Sequence, residues 1–218
     1  MKNTIIFDLD GLLIDSERIS CRLYQQMLSQ YGCSLSLSEY AEYYSGKTAV
    51  ENMNILVNAY RIPLTVQEGL NRMGELELKY LEEGIPLKKG AKELLCYLRE
   101  NKYKTVLASS STGDRAIKIL DYHHLTEIFD VMVFGAEVKR GKPEPDVFLK
   151  ACEKIKEPAE NCLVLEDSEA GIQAAFAAGI PVICIPDVKK PAVRYLRLTT
   201  AVLDSLTEVK GYLQKDRS

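Results

Sequence analysis

Asp8 and Asp10 stand in the stretch Thr4-Ile5-Ile6-Phe7-Asp8-Leu9-Asp10-Gly11. On an extended chain the side chains at i and i+2 point the same way, so two carboxylates converge where this apolar run ends. Close carboxylates repel, which favours a shared proton or a bound cation. A polar turn closing a strand accounts for the same residues without chemistry. Ser109-Ser110-Ser111-Thr112 follows a second apolar run, Thr105-Val106-Leu107-Ala108. Hydroxyls and backbone N–H groups at a helix start can cradle a phosphate, and they are equally what an ordinary helix N-cap uses. Lys142 lies in Lys139-Arg140-Gly141-Lys142-Pro143-Glu144-Pro145-Asp146, where the prolines stiffen the chain and would fix a cation that is otherwise simply solvated. Glu166 and Asp167 follow Leu163-Val164-Leu165. They complement a helix dipole, or they offer hard oxygen donors of the kind Mg²⁺ takes together with water and substrate phosphate.

Taken together, these residues are a set: nucleophile, acid/base, metal ligands and charge clamp for phosphoryl transfer. A P-loop is excluded. Five residues separate Gly135 from Gly141 where four are needed, and Pro143 replaces the required Ser/Thr. Gly46-Lys47-Thr48 fails as well, because Ala41 stands where the first glycine should be.

The elements that must carry this set can be read from the same sequence. Short apolar runs at 4–7, 105–108, 131–134, 163–165 and 181–185 read as buried parallel strands. Between them, Ala91, Leu94, Leu95 and Leu98 mark one helix face, and Ala116 to Leu120 suggests another. Pro145 to Ile155 reads as a helix with proline in its first turn, and Ser168 to Ala178 as one closed by Gly179 and Pro181. Strand–helix alternation predicts an α/β fold with a parallel sheet whose strand ends hold the ligand. Residues 15–85 break the alternation. Periodic segments near Ser16–Tyr31, Thr48–Tyr60 and Thr65–Leu81 predict an all-helical insert, a cap domain at 15–85 between core segments 1–14 and 86–218.

Composition limits the function classes. With 46% apolar and 27% charged residues the chain suits a globular domain. Its 28 basic and 31 acidic residues give no basic excess, so no nucleic-acid partner is expected. No apolar run is long enough to span a bilayer, and Asp8 comes too early for a secretory h-region. The six cysteines form no C-x-x-C pair, which argues against structural zinc and for a reduced, cytoplasmic protein.

Asp8-Leu9-Asp10-Gly11, Ser109, Lys142 and Glu166-Asp167 resemble, in order and context, the haloacid dehalogenase-like hydrolase superfamily. Lys142-Pro143-Glu144-Pro145-Asp146 and Leu165-Glu166-Asp167-Ser168-Glu169-Ala170-Gly171 resemble the branch of β-phosphoglucomutase and sugar-phosphate phosphatases. The resemblance implies a Rossmann-like core, an aspartyl-phosphate intermediate and Mg²⁺. It implies Asp8 as nucleophile and metal ligand, with Asp10 as acid/base and metal contact through its carbonyl. Ser109 and the Ser110 amide would hold phosphoryl oxygens, Lys142 would neutralise charge, and Asp167 with Glu166 would ligate the metal. Ser20 and Lys47 are the substrate candidates in the cap. The expected protein is a monomeric phosphatase of a small phosphorylated metabolite.

Two rivals stand beside that reading. The mutases carry a cap histidine where Ser20 stands, and an arginine near Ser45–Glu51, whereas this chain has none between Arg22 and Arg61. A phosphoacceptor signalling module combines similar residues, but without a helical insert beside an acceptor on the first strand.

Overall fold

The computed structural model describes residues 2–216. The chain divides into two compact units, one formed by residues 1–15 and 86–218, the other by 16–85. Asp15 belongs with the first unit, one residue later than the sequence reading put the boundary. Its backbone N–H donates to the Pro86 carbonyl at 2.8 Å, which ties it to that unit.

The larger unit is built on a six-stranded parallel sheet in the order β3-β2-β1-β4-β5-β6. Its strands are β1 (Thr4–Phe7), β2 (Lys104–Ser109), β3 (Val131–Phe134), β4 (Cys162–Glu166), β5 (Val182–Cys184) and β6 (Ala201–Val202). Every residue of β1 and β4 is buried. That is why these strands read as continuous apolar runs and not as alternating ones. β1 pairs with β2 on one side, Phe7 facing Leu107, and with β4 on the other, Phe7 facing Leu165. The three strand ends that precede Asp8, Ser110 and Asp167 are therefore neighbours. The order reverses between β1 and β4, and in open α/β sheets that switch point is where ligands bind.

The helices of this unit are α5 (Ala91–Glu100), α6 (Gly113–Tyr122), α7 (Asp146–Ile155), α8 (Glu169–Ala177), α9 (Val193–Leu196) and α10 (Val209–Asp216). α7 presents buried Val147, Phe148 and Ala151 to a core that includes Ile6, Val106, Val133 and Val164. Burying a phenylalanine such as Phe148 contributes roughly 1.5–3 kcal/mol. This anchors the helix that follows the Lys142 loop.

The smaller unit contains α1 (Ser16–Ser29), α2 (Leu37–Tyr43), α3 (Ala49–Tyr60) and α4 (Val66–Glu83). Capping boxes start three of them: Ser36 with Glu39, Thr48 with Glu51, and Thr65 with Glu68. Tyr24, Tyr40 and Tyr44 pack together in its core, with ring centroids 5.7–6.1 Å apart. The sequence reading did not include α2, although its Ser36-x-x-Glu39 box is visible in the sequence. A seven-residue helix is too short to display a periodic apolar face, so only the capping signal was there to read.

Candidate active site

Asp8 follows β1 directly. Its backbone N–H donates to the Leu165 carbonyl at 3.2 Å, which continues the β1–β4 ladder one residue past the strand and holds the carboxylate at the sheet edge. The residue is buried at 7% exposure. Lys142 reaches it from the loop before α7. Its Nζ lies 2.5 Å from Asp8 Oδ1, 2.7 Å from Glu166 Oε1 and 3.2 Å from the Ala108 carbonyl. The Phe148 ring centroid lies 4.9 Å from the same ammonium. Three acceptors use the three donors of an ammonium, and a charge this buried is tolerable only with such pairing. The solvated-lysine reading therefore does not hold.

Glu166 closes β4 at 1% exposure. Its Oε1 meets Lys142, while Oε2 accepts from the Asp167 and Ser168 amides at 2.8 Å each and from Ser168 Oγ at 2.9 Å. The sequence reading placed it among the metal ligands. In this structure its two oxygens anchor Lys142 and take the Asp167 and Ser168 donors. The space it occupies depends on Gly171, since a Cβ there would fall 1.7 Å from Glu166 Oε1.

The electrostatics follow from this packing. Burial pushes the Asp8 carboxyl up to about 7; Lys142 pulls it down, while Glu166 and Asp10 push it up. Burial also opposes the charge on Lys142, but Asp8 and Glu166 outweigh it and hold the ammonium above the usual lysine value. The corner holds more carboxylate than one lysine can balance, and a bound cation would favour the ionised Asp8.

Gly11 shows how such a cation would fit. It sits in the left-handed region at φ +79°, and a Cβ on it would lie 2.3 Å from Asp167 Oδ2. The carboxylate of Asp167 thus closes on the backbone just after Asp10. The oxygens that would hold such an ion are the Asp8 and Asp167 carboxylates at two adjacent strand tips and the Asp10 carbonyl. Among the described residues no three His, Cys, Asp or Glu side chains gather into an all-protein cage. Two carboxylates and a carbonyl are oxygen donors of the kind Mg²⁺ takes, with positions kept for water and substrate phosphate.

Ser109 ends β2 at 1% exposure, and its Oγ accepts the Ser111 amide at 3.0 Å. Ser110 is exposed at the turn that leads into α6. Thr112 occupies the N-cap position of α6 but makes no side-chain cap hydrogen bond.

Asp10 has partners that the sequence reading missed. Arg115 Nη1 lies 2.9 and 3.1 Å from its two carboxylate oxygens, and Ser111 Oγ donates to Oδ2 at 2.6 Å. Arg115 Nη1 also donates to Ser111 Oγ at 2.8 Å. Ser111 precedes the N-cap Thr112 and Arg115 stands in the first turn of α6, so no helical spacing in the sequence pairs them. Ser20 and Lys47 belong to the helical unit. Ser20 is half-buried and hydrogen-bonded to Tyr40. Lys47 is exposed, and its Nζ donates to the Tyr43 carbonyl of its own turn at 2.5 Å.

Residues 5–185 match the family described as haloacid dehalogenase-like hydrolase, which is most of the chain and all of the site residues named above. The chain belongs to this family. A phosphorylated carbohydrates phosphatase of Thermotoga maritima is 32% identical over 176 residues, 81% of each chain. The crystal structure of a hydrolase of the family from Deinococcus radiodurans R1, with bound phosphate and sodium, is 27% identical with a TM-score of 0.85. That match covers 98% of this chain and 96% of the other. A β-phosphoglucomutase from Clostridium difficile shares the fold at a TM-score of 0.76 and 23% identity, over 99% of this chain and 96% of that one. Mutases and phosphatases therefore share this architecture, and fold alone does not separate them. Family and phosphatase relatives together make the chain a phosphoric monoester hydrolase.

Proposed function

We propose that the chain hydrolyses a small phosphorylated metabolite, a sugar phosphate or similar monoester, through an aspartyl phosphate formed on Asp8. The observation that carries this is the buried Asp8–Lys142–Glu166 triad at the tip of β1, because a folding core gains nothing from it that apolar residues would not supply. Asp8 attacks phosphorus, and the P–O bond to the leaving group breaks. Asp10 gives its proton to the departing oxygen, then takes one from the water that attacks the aspartyl phosphate. Lys142 offsets charge between carboxylate and phosphate, while Ser109 Oγ and the Ser110 amide bind phosphoryl oxygens. The Asp8 carboxylate, the Asp10 carbonyl and the Asp167 carboxylate would hold Mg²⁺, which when bound would supply positive charge against the repulsion between an anionic nucleophile and a phosphate dianion.

Residues 16–85 serve as the cap that selects substrate in this reading. Hydrolysis is favoured over mutase chemistry because Ser20 cannot act as the mutases' cap histidine. Lys47, the remaining cation for a second phosphate, is bonded to Tyr43. The reading also takes the enzyme as monomeric and cytoplasmic. Among the described residues, no helix is long and apolar enough to cross a membrane.

The test is a screen of phosphorylated metabolites for phosphate release, with Mg²⁺ and with EDTA. Activity is expected with Mg²⁺, to vanish in chelator and to return on adding the metal back. Asp8→Asn should lose essentially all turnover while keeping the wild-type circular dichroism spectrum. Retention of a tenth of the activity by that variant, or isomerisation of a hexose phosphate outpacing phosphate release, would overturn the reading.

A further inference from the structure

Asp10 is held at two levels, and the second has no counterpart in its role as a metal contact. Its backbone is fixed by the turn after β1: Leu9 is fully buried, the Gly11 amide donates to the Ile14 carbonyl at 3.1 Å, and Asp10 bridges to Ile14. The side chain is fixed separately. Both carboxylate oxygens lie within 3.1 Å of Arg115 Nη1, and Ser111 Oγ adds a third bond at 2.6 Å.

We propose that Arg115, acting with Ser111, is the positioning residue of Asp10: the two hold Oδ2 of the carboxyl group, so that Oδ1, once protonated, turns its proton to the leaving oxygen. This rests on Asp10 being the acid/base of the reaction proposed above. The ion pair is partly open to solvent, with side chains 20% and 32% exposed, and pairs of that kind contribute little to stability. Orientation is what it does provide. A short carboxylate at this exposure has free χ angles unless something holds it, and here Arg115 Nη1 spans both oxygens while Ser111 Oγ fixes Oδ2. Placement of a catalytic group within a fraction of an ångström is set by partners such as these. The reach across sequence fits the purpose: Arg115 stands on the first turn of α6, the helix that starts beside the phosphate-cradle hydroxyls. One helix start would thus serve both the phosphate and the acid/base.

The experiment uses leaving-group chemistry, since kcat/KM reports only the steps up to phosphorylation of Asp8. p-Nitrophenolate departs without a proton, while an alkoxide needs one from Asp10. Wild type, Arg115→Ala, Arg115→Lys, Ser111→Ala and Asp10→Asn are compared on p-nitrophenyl phosphate and on the alkyl phosphate that the wild type hydrolyses fastest. A displaced acid costs on the order of tenfold or more. Arg115→Ala should lose about that much kcat/KM on the alkyl phosphate and less than about threefold on the aryl phosphate. Ser111→Ala should show the same bias more weakly, Arg115→Lys should recover part of the loss, and Asp10→Asn should show the bias most strongly. Equal losses by Arg115→Ala on both substrates would overturn the proposal, pointing to phosphate binding or to the fold, and so would no loss at all. If Asp10→Asn itself lacks the bias, the acid/base assignment has failed and takes this proposal with it. That failure is visible in a different variant.

Discussion

The two units treat the same polar residue types in opposite ways. In the helical unit Glu39, Glu51 and Glu68 are exposed and each closes a capping box three residues from its partner. Lys47 bonds a carbonyl four residues away. All of these are local bonds that a helix end or a turn needs for its own sake. In the sheet unit Asp8, Lys142 and Glu166 are buried, and Lys142 pairs with groups 134 and 24 residues away. Burial of such a cluster of charge-bearing groups costs stability that local structure does not return. The contrast teaches where to look: distance along the chain combined with burial separates residues kept for chemistry from residues kept for folding.

The sharpest way to break that contrast is Lys142→Ala. It leaves Asp8 and Glu166 facing each other without their shared cation. Removing one partner of a buried pair costs about 3–5 kcal/mol, and turnover should fall below detection at the same time. Denaturant unfolding and phosphate release measure the two effects. A variant of wild-type stability would mean that the pair is not desolvated in solution and that the contrast between the units is false.

A smaller effect is expected one layer out. Gly171→Ala puts a methyl group 1.7 Å from where Glu166 Oε1 lies, and that oxygen is held by Lys142. Glu166 must shift, and Lys142 loses an acceptor. Overpacking of this sort costs about 1–3 kcal/mol. A misplaced Lys142 should also reduce kcat about tenfold to a hundredfold. Full activity in this variant would show that Glu166 is not what positions the lysine.

How much of this was legible in the sequence differs by element. The buried strands were, because an unbroken apolar run ending in Asp8, Ser109 or Glu166 fits a strand covered on both faces and little else. Strand β3 and the helices at Ala91, Asp146 and Glu169 came out within a residue or two of expectation. What stayed hidden had no periodic signature. α2 is too short to show one, and Arg115 looks like any charged residue on a helix until Asp10 is placed against it. Glu166 and Asp167 read as one acidic pair, yet their backbone directions diverge at the strand end. Glu166 turns inward to Lys142, while Asp167 turns toward Gly11. Adjacent residues on extended chain point opposite ways, so the split was available from spacing alone.

The glycines give the mildest form of the same comparison. Gly74 lies inside α4 of the helical unit, exposed, and a Cβ on it would meet nothing within 4 Å. Its backbone is not in the left-handed region, so alanine fits without strain. Glycine within a helix is worse than alanine by roughly 0.5–1 kcal/mol, mainly through the freedom it loses on folding. Gly74→Ala should therefore stabilise by about that amount, opposite in sign to Gly171→Ala. A 218-residue chain translates this into a rise of a few degrees in Tm, about 2–4 °C per kcal/mol if the two units unfold together. Phosphate release should stay within about twofold of wild type, because surface changes away from a site rarely perturb it. A fall in Tm would mean that the space beside Gly74 is filled in solution. A large change in activity at unchanged stability would mean that this exposed face of the helical unit takes part in substrate turnover, and the division between folding residues and chemical residues would have to be redrawn through α4.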